Sequence, residues 1–101
     1  MNTDQLIAQS RARFEHAVAK QVLKEKYQAK LNFGYHGGMF RASPEMITFL
    51  NLYGDQTIVI PDLYENPITV NAQELCALMR DRFQEQMNAW LDEYKQNQTR
   101  R

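Results

Sequence analysis

From Thr3 to Lys30 the chain holds no glycine and no proline, and Ala, Gln, Lys and Glu, all good helix formers, dominate the stretch. Thr3 or Asp4 can cap its start, because a short oxygen-bearing side chain satisfies the free N–H groups of a first turn. A helix over residues 3–30 is therefore predicted. Its apolar residues, however, do not form one stripe. At about 100° per residue, Ile7, Phe14 and Val18 fall on one side and Leu23, Tyr27 and Leu31 on nearly the opposite one. A helix packed against a single core keeps one apolar stripe. Either this helix bends or breaks near Lys20, or its halves bury against different partners. The second reading is favoured, with the first half reaching beyond its own subunit.

The other end of the chain is more regular. Asn71 with Glu74 forms a capping-box-like pair at a helix start, Asn replacing the usual Ser or Thr. Cys76, Met79, Phe83, Met87, Trp90 and Tyr94 then follow at spacings of three and four, one continuous stripe. This predicts a helix over residues 72–95, about 35 Å long at 1.5 Å per residue, and a flexible polar tail over 96–101.

Turn formers and β-branched residues occupy the middle. In "FGYHGGMFRASPEM" the pair Gly37-Gly38 suits a two-residue hairpin loop, which needs positive φ. That turn pairs Tyr35 with Phe40 and Phe33 with Ala42, all on one face, with Asn32, Gly34, His36, Met39 and Arg41 on the other. The hairpin spans residues 31–42. Ser43 is the N-cap and Pro44 the first residue of a short helix over 44–53 that stops at Gly54. "TIVIPD" and "ITV" form a second hairpin over 57–70, with "DLYENP" as its loop. The expected fold is a single α+β domain: a short antiparallel sheet of two hairpins, a short helix between them, and long N- and C-terminal helices on the flanks. Four short strands do not cover two helices of this length, and a second copy of the chain is the simplest cover.

Composition agrees with one folded domain. The 101 residues are 44% hydrophobic and 24% charged, with five Phe, five Tyr and one Trp. No apolar run is long enough to span a membrane, and the N-terminus lacks the basic and apolar sections of a secretory signal. A lone cysteine, Cys76, forms no internal disulfide, in keeping with a reducing cytoplasm. Asn97-Gln98-Thr99 spells a glycosylation sequon, discounted without a secretion signal. Net charge is zero but uneven: residues 11–30 carry six basic side chains against two acidic, or +4, and residues 62–101 five against seven, or −2. Opposite signs at the two ends favour contact between them, within one chain or between copies.

Candidate sites are few. The glycines match no nucleotide-binding fingerprint, and turn chemistry alone accounts for them. Arg41, His36 and the helix start at Ser43 could hold an anion. His16 and His36 lack spaced ligand partners, so neither metal nor cofactor is expected. Asp62 and Glu65 could form an acid/base pair, but turn capping is the better account, and an enzyme is the weakest reading. Arg11, Arg13, Lys20, Lys24, Lys26 and Lys30 could contact nucleic acid or an acidic partner. They scatter around the helix, so nucleic acid ranks second. Ile7, Phe14, Val18, Met87, Trp90 and Tyr94 are the expected protein-interface residues, the aromatics as natural anchors.

The segments "GGMFRASPEMITFLN" and "IVIPDLYENPITVNAQEL" lie within a likeness covering about residues 33–95. They resemble a family of small proteins from large contractile-tailed phages, including phages of marine cyanobacteria. The likeness lies in the order of turn and helix-start residues, so it carries over no catalytic or binding residue. It implies a location, the infected bacterial cytoplasm or the virion, and a bias toward assembly or accessory work. The function expected is thus a non-enzymatic homo-oligomer, a dimer first, in contact with phage or host proteins and not with membrane. A nucleic-acid-binding accessory factor is the alternative.

Overall fold

The computed structural model describes residues 3–99. The last two residues of the expected tail, Arg100 and Arg101, lie outside them, as do Met1 and Asn2. The order is α1 (Thr3–Ala29), β1 (Asn32–Tyr35), β2 (Gly38–Arg41), α2 (Pro44–Asn51), β3 (Thr57–Pro61), β4 (Pro67–Asn71) and α3 (Ala72–Thr99). This is the α+β arrangement read from the sequence, two hairpins with a short helix between and long helices on the flanks. The strands form two separate two-stranded antiparallel sheets, where one short sheet was expected.

α1 runs unbroken through Lys20, as its lack of helix breakers dictates. α2 stops at Asn51, two residues earlier than expected, and turns lead to Gly54 at φ 57°. α3 continues through Gln96–Thr99, where a flexible tail was expected. Gln, Asn and Thr there lower helix propensity by only a few tenths of a kcal/mol each, and no Gly or Pro intervenes.

The first hairpin turns one residue earlier than Gly37-Gly38. His36 (φ 49°) and Gly37 (φ 82°) occupy the loop, both in the left-handed region that a type I′ turn requires. Tyr35 therefore pairs with Gly38 and Phe33 with Phe40, in place of the expected Tyr35–Phe40 and Phe33–Ala42. A shift of two leaves the faces unchanged, so Phe33, Tyr35 and Phe40 still share one side. Gly38 is fixed by packing: a Cβ there would sit 2.8 Å from Ile68 Cγ1 and 3.0 Å from Phe40 Cε2. The second hairpin pairs Ile58 with Val70 and Ile60 with Ile68, placing all four on one face. The loop of the second hairpin meets β2 of the first, where Leu63 N donates to Met39 O at 2.8 Å and Met39 N to Asp62 Oδ2 at 3.1 Å.

The core gathers Tyr35, Phe40, Leu50, Ile60, Val70, Leu75 and Met79, with Leu31, Ala42, Ala72 and Cys76 completing it. Local caps aim the helices at it. Ser43 Oγ accepts from Met46 N at 3.2 Å, and Asn71 Oδ1 accepts from Glu74 N at 2.8 Å. The residues α3 adds to this core, Ala72, Leu75, Cys76 and Met79, all lie in its first two turns; Phe83 and Met87 are partly covered.

Both long helices then run past the sheets, side by side and antiparallel: Lys26 pairs with Glu93, and His16, Ala19 and Leu23 border a hollow with Tyr94, Asn97 and Gln98. The molecule measures 65 × 26 × 21 Å, with a radius of gyration of 19.4 Å. A compact chain of this length would have about 13 Å. Since the described part of α3 reaches only the middle of α1, residues 3–15 of α1 extend about 20 Å further with no other described element alongside.

Met79→Ala is expected to cost about 2–5 kcal/mol in urea unfolding, as a fully buried side chain, and Phe83→Ala clearly less than a buried phenylalanine would. Gly38→Ala is expected to lower stability by about 1–3 kcal/mol, because Ile68 and Phe40 must move, which thermal melts will read.

Candidate functional site

The side chains that distinguish this molecule lie along α1. A helix presents residues three and four apart on one face. Leu23 and Tyr27 are buried, and they face the body of the protein. Ile7, Phe14 and Val18 lie on the opposite side, as the sequence pattern required, and all three are exposed, Phe14 by 71%. The split pattern thus corresponds to one continuous helix whose C-terminal part is covered by its own chain. Leu6 and Val22 join the exposed group, Val22 at 59%. The spacing of four from Val18 to Val22 was a signal for including it.

The α3 candidates divide. Met87, Trp90, Leu91 and Tyr94 line a shallow apolar hollow. Met87 also packs against the core cluster, and Trp90 is half-buried, whereas Leu91 and Tyr94 are exposed. The α1 stripe points away from α3, so Ile7, Phe14 and Val18 form one apolar surface and Met87, Trp90 and Tyr94 a second, separate one.

Arg11, Arg13, Lys20, Lys24, Lys26 and Lys30 are all exposed. Lys26 Nζ donates to Glu93 Oε1 at 2.9 Å, and that bond holds the Glu93 carboxyl below its usual range and the Lys26 amine above its own. Lys26 and Lys30 also stand 5.3 and 5.0 Å from the centre of the Tyr27 ring. These two basic residues tie α1 to α3 and its own turn. Arg13, Lys20 and Lys24 share one flank, with Arg11 elsewhere, so no continuous basic strip follows the helix.

The anion candidates are not brought together. His36 stacks flat on Tyr35, ring centres 4.0 Å apart. Arg41 Nε donates to Asn32 Oδ1 across the hairpin at 2.9 Å, and Ser43 is engaged as an N-cap. Asp62 caps its loop: its carboxylate accepts from Tyr64 N and Asn66 N at 2.9 Å each, as well as from Met39 N. The Asn66 amide, then that of Met39, holds its carboxyl below the usual aspartate range. Glu65, at φ 63°, is a turn residue of the same loop. The Cys76 thiol is buried and donates to Ile47 O at 3.6 Å. Among the described residues the buried Tyr35 hydroxyl has no hydrogen-bond partner; burial, with the Glu74 carboxylate nearby, pushes its pKa up. No group of three His, Cys, Asp or Glu side chains gathers among the described residues. No helix among them is long and apolar enough to cross a membrane.

No family model, curated protein or solved structure matches this chain.

The Asp62 cap has a pH signature. Because its folded pKa is depressed, the stabilisation is fully present above the ordinary aspartate range and is lost as pH falls through the lower folded value. Asp62→Asn is expected to lower stability at neutral pH and to flatten this acid limb, measured by urea unfolding across the acid range.

Proposed function

We propose that this chain is a non-enzymatic, self-associating accessory or assembly protein, acting through helix-mediated protein–protein contact. The observation that carries the reading is the projecting part of α1, where Leu6, Ile7 and Phe14 are exposed and lie beyond every other described element. A helical stretch of this length standing alone is marginal in water, since its first turn fixes several dihedral angles for a single hydrogen bond. Packing of an apolar face normally supplies the missing stabilisation, and here a second chain is its source.

The first partner is another copy, in a two-fold dimer that buries the same patch on both subunits. The hollow at Met87, Trp90 and Tyr94 is a second, smaller contact surface, with two aromatic anchors. The likeness to proteins of contractile-tailed phages supports work in the infected bacterial cytoplasm or on the virion, with phage or host proteins as further partners.

Light scattering at micromolar concentration is expected to give about twice the 11.9 kDa chain mass. Phe14→Ser is expected to shift the protein toward monomer while leaving its unfolding midpoint, extrapolated to low concentration, nearly unchanged. Trp90→Ala is expected to weaken association with a partner more than folding. A monomer at high micromolar concentration for the unaltered chain overturns the reading.

A further inference from the structure

We propose that two copies pair along the outer faces of α1, antiparallel, in a register centred on Val18. This rests on the self-association reading and specifies its geometry. The outer face carries Ile7, Arg11, Phe14, Val18, Val22, Glu25 and Ala29, and all seven are exposed. The spacings along this stripe are four, three, four, four, three and four, a sequence that reads the same in both directions about Val18. An antiparallel two-fold through Val18 therefore sets Val18 against its own counterpart and Phe14 against Val22 of the second copy. It sets Ile7 against Ala29 and Arg11 against Glu25 in the same way.

The charges select this register. In a parallel pairing Arg11 meets Arg11 and Glu25 meets Glu25, and like charges set directly opposite each other are repelled. In the antiparallel one, opposite charges meet at both ends of an apolar centre, and they meet twice because of the symmetry. Glu25 is already steadied by Gln21, whose Nε2 donates to Glu25 Oε1 at 3.0 Å. Arg13, Lys20 and Lys24 lie on the far side of the helix from the stripe, so the excess basic charge of this segment does not face itself across the pair. Size also fits, with the small Ala29 facing Ile7 at each end and Val22 facing the larger Phe14.

The pairing supports the exposed arm where support is lacking. Residues 7–15 of each copy come to lie over residues 21–29 of the other, the part of α1 anchored from behind through Leu23, Tyr27 and the Lys26–Glu93 pair. Each arm is then held against a segment that its partner's own fold has already fixed.

Charge exchange and cross-linking test the register. Arg11→Glu and Glu25→Arg are each expected to weaken the dimer roughly tenfold or more in sedimentation or light scattering. The combined Arg11→Glu, Glu25→Arg variant is expected to restore it, with circular dichroism reporting that all three remain helical. Under mild oxidation Val18→Cys is expected to form a cross-linked dimer in good yield, and Ile7→Cys, two copies of which lie at opposite ends of the pair, is not. A dimer in which the combined variant fails to recover, or in which Ile7→Cys cross-links as readily as Val18→Cys, overturns the register but leaves self-association standing. A monomeric unaltered chain overturns both.

Discussion

Among the described residues, α1 is buried against the rest of the chain at Leu23 and Tyr27 and tied to it by the Lys26–Glu93 pair. Every residue from Asp4 to Val22 is exposed. That attachment governs the shape and the distribution of apolar surface. It stretches the molecule to 65 Å while the packed core occupies one end. The attachment is modest in energy: an exposed ion pair contributes little after side-chain entropy and screening. The two buried side chains do more, each worth about 1.5–3 kcal/mol by burial of apolar surface. An anchor of that size fixes where the helix points but covers only one of its faces.

The globular end is organised differently. Its two sheets are each too small to be stable alone, since a two-stranded hairpin is marginal in water. They are held together by α2 and the start of α3, and by a polar junction at Asp62. This carboxylate caps its own loop through Tyr64 N and Asn66 N while also accepting from Met39 N of the other hairpin. One side chain thereby closes a turn and ties the two sheets. The close approach of Ile68 to Gly38 adds an apolar contact beside it.

Much of this was legible wherever a residue's role is local. Ser43 and Asn71 announce their helices because a cap bonds to an amide three residues away. Asp62 reads as a turn residue for the same reason. The hairpin turn was not legible, because His36-Gly37 and Gly37-Gly38 both supply the positive φ of a two-residue loop. The reason for glycine at 38 is also remote: Ile68, thirty residues away, crowds any side chain placed there. The end of α3 was missed since no stop signal lies between Lys95 and Thr99. On α1 the two opposed stripes were correctly separated. Val22 was overlooked because it lies next to Leu23, in the region assigned to the buried side, although helical phase places it with Val18.

The separation of these two regions also bears on the order of events. The core cluster and its helix caps lie between Leu31 and Met79, so in the proposed pairing the body is built without the outer face of α1. In that pairing the arm of α1 takes its cover from the second copy. In the proposed pairing, folding of the body comes first and presents the anchored part of α1 as a continuous, apolar-faced helix. The arm of a second copy then orders against it, and the cost of ordering is met by burial of Phe14 and Ile7 at the moment of contact. Such a division makes association sensitive to concentration while the fold itself is not. It also allows the outer face of α1 to change its partner preference, residue by residue, without disturbing Leu50, Leu75 or Met79, on which the fold depends.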